Sequence, residues 1–212
     1  MADYRARFKR CGEGVTIEEG VHIEEPELME VGDRVRFMRG FWMGMGSPGK
    51  ITIGSDVTFY PNCFIQGAAD RFVVGDHVEF FPGTYISLGG KGSFVEIGGH
   101  SHFAPNCVLY GWGGLTIGKY CNVAAHAVFA TIGHDPVVRE KPMALVPGVS
   151  GPITLEDDVW VAANCTICAG VTVARGCIIG ANSVVTRGTE PMGLYAGGPA
   201  RRIRDRVNGE RA

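Results

Sequence analysis

The chain has 212 residues, of which 45% are apolar and 32 are glycine, and a formal charge of −2 at pH 7. That length holds one or two ordinary domains, and so slight a charge argues against a general nucleic-acid binder. No apolar run approaches the ~18 residues of a transmembrane helix, and the start Met1-Ala2-Asp3-Tyr4-Arg5 does not read as a signal peptide. The expectation is a cytoplasmic protein without membrane insertion.

Residues 1–10 carry no repeat and are expected to cap the N-terminus. A six-residue period starts loosely with Cys11, Ile17, Ile23 and with Val31, Phe37, Met43. It then tightens through Ile53, Phe59, Ile65; Val74, Phe80, Ile86; Ile97, Phe103, Leu109; Ile117, Val123, Phe129; Leu155, Val161, Ile167; and Val173, Ile179, Val185. Between the strict trios the gaps are 9, 11, 8, 26 and 6 residues, so insertions enter only after every third hexad. A chain that cycles through three six-residue faces and inserts at one corner is a triangular prism, a parallel β-helix. The predicted fold is therefore all-β, with about eight coils over 11–190, a long loop at 132–152, and a C-terminal cap and tail over 191–212.

A second column supports the first. Four residues after each apolar position stands a small residue: Val57, Cys63, Val78, Thr84, Ser101, Cys107, Cys121, Ala127, Val159, Cys165, Val171, Cys177, Ser183. Strand side chains alternate between faces, so two inward positions per hexad are expected. Glycines and asparagines such as Gly54, Asn62, Gly75, Asn106, Gly118, Asn164, Gly180 and Asn182 are read as corner formers. Five of the seven cysteines fall in the small inward column, where a free thiol acts as a small hydrophobe. The pair Cys165 and Cys168 has CxxC spacing, but alternation separates its side chains and no second pair exists, so no metal is expected. Phe72, Phe81 and Trp160 are expected to face outward, and an exposed apolar patch marks an interface.

The loop 132–152 is where chemistry is sought, because a stacked coil has little room for it. It carries Gly133-His134-Asp135-Pro136. Together with Thr131 to Pro136, four later runs form a recognisable set: Ile-Thr-Leu-Glu-Asp-Asp-Val-Trp-Val-Ala-Ala (153–163), Ile-Cys-Ala-Gly-Val-Thr-Val (167–173), Ile-Gly-Ala-Asn-Ser-Val-Val-Thr-Arg (179–187) and Gly-Gly-Pro-Ala-Arg-Arg-Ile (197–203). The set resembles the hexapeptide-repeat acyltransferases, in particular the acetyl-CoA-dependent galactoside, maltose and polysaccharide-modifying O-acetyltransferases. The resemblance implies a left-handed helix, against the usual crossover hand, and a homotrimer with active sites between adjacent prisms. It implies acetyl-CoA as co-substrate and a sugar hydroxyl as acceptor.

Residue by residue, the family's catalytic base falls on His134, and a neutral imidazole suits proton removal from a hydroxyl near pH 7. Asn106 aligns with a family asparagine beside that site, although Asn62, Asn164 and Asn182 occupy the same corner elsewhere. Ala163 and Ala181 match small residues along the pantetheine arm; Thr186 and Arg187 match a pair at the nucleotide end. Arg201 and Arg204 match basic residues suited to phosphate, while composition alone reads Arg201, Arg202, Arg204 and Arg206 as a solvated cap. Trp160 lines the CoA cleft or packs between subunits. His126 sits one coil beyond Asn106 in the same corner, and with Tyr85, Tyr110 and Trp112 it is the candidate acceptor contact. His100 and His102 read as surface or interface residues.

Two departures bear on the substrate. The family's galactoside members run His-Pro without Asp135, and residues 1–10 are too short for their N-terminal sugar-contacting segment. N-acetyl transfer to an amino sugar, a nucleotide-linked sugar or an antibiotic uses the same fold and is the alternative. A γ-carbonic-anhydrase-like zinc enzyme would need three converging histidines, and the His-x4-His pair is missing. A purely structural prism leaves the His134 loop and the Gly-Gly-Pro-Ala-Arg run unexplained.

Overall fold

Each hexad folds as a short strand and a corner, and three hexads return the chain to a point one rung further on. In the structure, a computed structural model describing residues 4–46, 49–137 and 140–206, eight such coils stack in parallel register. The first face runs from Arg10–Cys11 through Met29–Val31 and Lys50–Ile53 to Leu115–Ile117, Ile153–Leu155 and Thr172–Val173. The second runs from Thr16–Ile17 to Ile178–Ile179, and the third from His22–Ile23 to Val184–Val185.

One expected set of loops is absent. The strands Phe64–Val74 and Tyr85–Ile97 pass unbroken through the third corner and pair with each other, so two insertions extend the sheet instead of leaving it. Gly67 is required there: its φ is +106°, and a Cβ would stand 2.0 Å from the carbonyl oxygen of Leu88.

The inward columns fill the prism. On the second face Phe37, Phe59, Phe80 and Phe103 stack with centroids 5.3, 4.9 and 5.2 Å apart and planes within 9°. Burying each such ring stabilises the fold by about 1.5–3 kcal/mol. The first face contributes two apolar residues per strand, adding Met29, Ile51, Phe72, Val95, Leu115 and Ile153, all buried. Phe72, expected outside, is therefore inside: it stands two residues before Val74, and alternation puts both on the same side.

Cys63, Cys107, Cys121, Cys165 and Cys177 line the small column, fully buried. Each thiol donates to a carbonyl one coil further on, at Phe80, Ala124, Glu156, Gly180 and Glu190 respectively, over 3.0–3.3 Å. Burial pushes the Cys63 thiol up to about 12 and those of Cys107 and Cys121 to about 11. These are core fillers held neutral by desolvation.

The corners differ from the simple turn reading. Gly54, Gly75 and Gly118 do not adopt positive φ; a Cβ on each would meet the next coil's atoms at 2.5–2.7 Å. The left-handed residue comes two positions later, at Arg34, Asp56, His77, His100, Tyr120 and Asp158, with φ between 54 and 61°. Three of them, His77, His100 and Tyr120, stack on one another with centroids 4.6 and 5.0 Å apart. At the second corner the left-handed residues are Asn62, Asn106, His126, Asn164 and Asn182.

Both ends are covered. After the helix Tyr4–Arg7, Phe8 tucks onto Phe37 at the N-terminal end, 6.2 Å between centroids. At the other end Gly193–Ala196 adds a further parallel rung to the second face, and Arg201–Asp205 turns back antiparallel to it. The amide of Thr189 donates to Thr172 O (3.0 Å) on the first face, while on the third Val184 donates to Gly197 O (2.9 Å) and Ala200 to Val184 O (2.8 Å). No helix among the described residues is long and apolar enough to cross a membrane.

Candidate active site

The outward side of the second face changes character along the prism. In the row next to the second corner the residues read Met38, Tyr60, Phe81, then Ala104, Ala124, Ala162, Gly180 and Ala196, each joined to the following coil by its backbone amide. From Ala104 onward this row is a floor of small side chains roughly 19 Å long, at about 4.8 Å per rung. One wall is the parallel row Glu79, His102, Asn122, Trp160, Ile178 and Leu194. Trp160, 48% exposed, is its largest member. The other wall is the second corner, which carries Asn106, His126, Ala163-Asn164 and Ala181-Asn182 in successive coils, linked by His126 N to Pro105 O (3.1 Å), Asn164 N to Ala125 O (3.0 Å) and Asn182 N to Ala163 O (2.9 Å).

The far end of the groove is basic. Across the antiparallel pair, Arg201 lies opposite Ala196 and Arg204 opposite Leu194. Here the structure sorts four arginines that composition treats alike. Arg202 pairs with Glu190 (3.1 Å) and Asp205, which raises its pKa further, the hydrogen bond to Asp205 being the main cause. Arg206 binds Asp158 (2.8 Å) and the carbonyl of Gly176 (3.2 Å). Arg201 and Arg204 are exposed, and neither meets a carboxylate among the described residues.

Asn106, His126, Ala163, Ala181, Trp160, Arg201 and Arg204 thus share one groove. His134 does not. It ends the strand Ile132–His134, which pairs antiparallel with Gly148–Ser150 in a hairpin leaving the third corner. The hairpin's root is fastened by buried Thr131, whose hydroxyl donates to Tyr110 O (2.9 Å) and accepts from Gly113 N (3.2 Å). His134 is exposed, and the Asp135 carboxylate accepts the amide of Val137 (3.0 Å). From His126 to Ile132 the chain crosses the whole third face, roughly 20 Å of extended backbone. Within one copy of the chain the imidazole and the groove are on opposite edges of that face.

Tyr110 and Trp112 belong to the hairpin's side, while Tyr85 stands on the outside of the third face in the row nearer the second corner. Tyr85 packs edge-on to Tyr110 at 6.4 Å and accepts from Gln66 Nε2. Trp112 donates to Ser87 Oγ (3.1 Å) and lies over Gly89, where a Cβ would come within 2.5 Å of the indole. Thr186 and Arg187, both exposed, follow Val184–Val185 on the same third-corner edge, in the last coil.

At the groove's head stand Tyr60, Glu79, His102 and Asn122, which sequence reasoning passed over or left as surface. The signal was available: the outward residue after each second-face core position switches from aromatic at Tyr60 and Phe81 to alanine or glycine thereafter. Among the described residues no three His, Cys, Asp or Glu side chains converge as a metal site.

Residues 152–187 match the family described as bacterial transferase hexapeptide (six repeats). The chain is 28% identical over 140 residues to a chloramphenicol acetyltransferase of Agrobacterium fabrum, covering 56% of this chain and 67% of that one. It is 30% identical over 132 residues to the galactoside O-acetyltransferase of Escherichia coli, covering 62% and 63% respectively. The matched segments span about two thirds of those relatives' lengths. Arabidopsis UDP-N-acetylglucosamine acyltransferase shares the fold, with a TM-score of 0.72 at 17% identity over 92% of this chain and 63% of that one. In repeat and in fold, the chain is a left-handed parallel β-helix of hexapeptide repeats, similar in sequence to the acetyltransferases just described.

Proposed function

We propose that this chain is an acetyl-CoA-dependent O-acetyltransferase acting on a sugar hydroxyl, in the cytoplasm, with its site shared between neighbouring copies of a homotrimer. The observation that carries the reading is the groove: a long floor of small residues ending at two guanidiniums without carboxylate partners. Small side chains let a thin, amide-bearing arm approach the backbone, and unpaired guanidiniums suit phosphates. The residues present therefore fit CoA, with Ala163 and Ala181 along the pantetheine and Arg201 and Arg204 toward the phosphates.

Shared sites follow from the separation of His134 and the groove. A neighbouring prism set with its third corner against this groove would bring its own His134 hairpin, and its Thr186 and Arg187, to the second corner of this copy. His134 then takes the proton from the sugar hydroxyl as that oxygen bonds to the thioester carbonyl carbon. The carbon–sulfur bond breaks, the proton passes from the imidazole to the sulfur, and an acetyl ester and free CoA result. Asn106 or His126, adjacent at the corner, would donate to the developing oxyanion, and a preorganised donor of that kind is worth about 3 kcal/mol.

Similarity to a chloramphenicol acetyltransferase favours a second reading, transfer to an antibiotic hydroxyl, with the same machinery and a different acceptor. The test is thiol release from acetyl-CoA across methyl glycosides, amino sugars, nucleotide-linked sugars and chloramphenicol. Complementation tests the shared site: a His134→Ala chain mixed with a groove-blocked Ala162→Trp chain should regain activity that neither has alone. Full activity in a monomer, or no acetyl transfer to any acceptor, refutes the proposal.

A further inference from the structure

We propose that the head of the groove is the acceptor subsite and takes an uncharged pyranose ring, stacked on Phe81 and held at its edge by Glu79, His102 and Asn122; this rests on the acyltransferase reading above. The argument starts from an interrupted ladder. Tyr60 and Phe81 stack with centroids 4.7 Å apart and planes 13° from parallel, so one face of Phe81 is covered. The next rung places Ala104 where a third ring would lie. The outside of the third face makes the contrast: there Trp42, Phe64 and Tyr85 continue rung after rung at 4.4 and 5.9 Å, and where that ladder ends, at Val108, Tyr110 packs edge-on against Tyr85 at 6.4 Å. Beside Phe81 the break leaves a cavity of about 320 Å³, lined by Glu79, Phe81, His102, Ala104 and Asn122. A saturated six-membered ring has the thickness of one rung, and its axial C–H bonds suit an aromatic face.

The polar edge is arranged for hydroxyls. Glu79 accepts from Tyr60 Oη (3.1 Å), and its other oxygen lies 3.6 Å from His102 Nδ1. Those two neighbours hold the carboxylate in place while leaving it acceptor capacity. His102 Nε2 and the Asn122 amide have no partner among the described residues. The local charge selects the acceptor class. Residues 79–81, 102–104 and 122–124, the three rungs of this face at the cavity, contain no lysine or arginine and one carboxylate. A phosphorylated or nucleotide-linked sugar would meet repulsion from Glu79 with no lysine or arginine on these rungs, Arg36 lying two rungs back beside Tyr60, so an uncharged glycoside fits. The cavity also shares a coil with the Asn106 corner, so a ring seated on Phe81 presents a hydroxyl next to the position proposed for the thioester.

The test uses the full-length protein with methyl glucopyranoside, methyl galactopyranoside and methyl mannopyranoside, read by ligand-observed NMR binding and by acetyl transfer. Phe81→Ala and Glu79→Gln should each raise the acceptor Kd and KM roughly tenfold, as expected for a lost stack or a lost hydrogen bond to a charged group. Phe81→Tyr should restore binding, and the Kd for CoA should stay within about twofold of wild type in all three. The assignment is overturned by unchanged acceptor binding in both Phe81→Ala and Glu79→Gln, by preference for an amino sugar or UDP-sugar, or by failure of every methyl glycoside to bind. Failure of CoA to bind would sink the acyltransferase reading, whereas glycoside binding lost in Phe81→Ala would still support the subsite.

Discussion

The four C-terminal arginines make a prediction in which two outcomes separate cleanly. Arg201→Ala combined with Arg204→Ala removes two exposed guanidiniums whose one bond to the fold among the described residues is Arg201 to the adjacent Ala200 carbonyl (3.1 Å). Charge-assisted bonds to a phosphate in a partly solvated setting contribute about 1–1.5 kcal/mol each, so the pair should weaken CoA binding by roughly 30- to 150-fold. The melting temperature should hardly move. Arg206→Ala should do the reverse. Arg206 is two-thirds covered on its side chain and ties Asp158 and Gly176 to the returning strand, so its loss should cost about 1–2 kcal/mol, a drop of roughly 2–8 °C for a chain of this size. CoA affinity should be retained. Calorimetric titration with CoA and a thermal melt of the same preparations read both quantities, and the affinity loss should shrink at high salt through screening. If both variants lose CoA affinity and thermal stability in parallel, the four arginines act as one structural cap and the phosphate reading is refuted.

His134→Ala should lower acetyl transfer 10²- to 10⁴-fold, the usual loss on removing a general base, while calorimetry still finds CoA bound. Phe59→Ala, inside the ring stack between Phe37 and Phe80, should cost about 3–5 kcal/mol in urea unfolding, and Phe64→Ala on the outer face should cost far less. The buried thiols predict a loss of stability in alkali. Their folded pKa values, about 12 for Cys63 and about 11 for Cys107 and Cys121, lie above the ordinary 9.0, so their contribution is complete below pH 9 and is lost as the pH rises toward the folded values. At pH 10.5 each should forfeit about 2 kcal/mol by linkage. A urea series across that range should steepen for wild type and flatten for Cys63→Ala, Cys107→Ala and Cys121→Ala combined; an equal slope in both refutes it.

The hexad was legible because the prism is a periodic object: Ile53, Phe59 and Ile65 repeat because each must reach the same axis. The third-corner insertions were not, since a gap of 9 or 11 residues says where chain is added and not whether it pairs, as Phe64–Val74 and Tyr85–Ile97 do. Phe72 was misread because the inward columns were counted from Val74 onward, whereas the first-face strands add a further inward residue two positions earlier. The glycines at 54, 75 and 118 were visible, but their cause is contact between coils, a relation no local turn rule contains. The motif set pointed to His134 and to residues that the structure gathers in one groove. What spacing alone could not give is that the imidazole and the groove occupy different edges of one face, because that depends on how far Val128–Ala130 carries the chain.

A parallel stack has no natural end: every rung offers amides and carbonyls that would accept another rung, from this chain or from a second one. The covering of all three terminal edges, by Thr189, by the turn holding Gly197 and Ala200, and by the reversed strand Arg201–Asp205, therefore has a colloidal consequence. It leaves the last rung without an open edge for a second copy to extend, so the sides of the prism, and not this end, are the surfaces free for association.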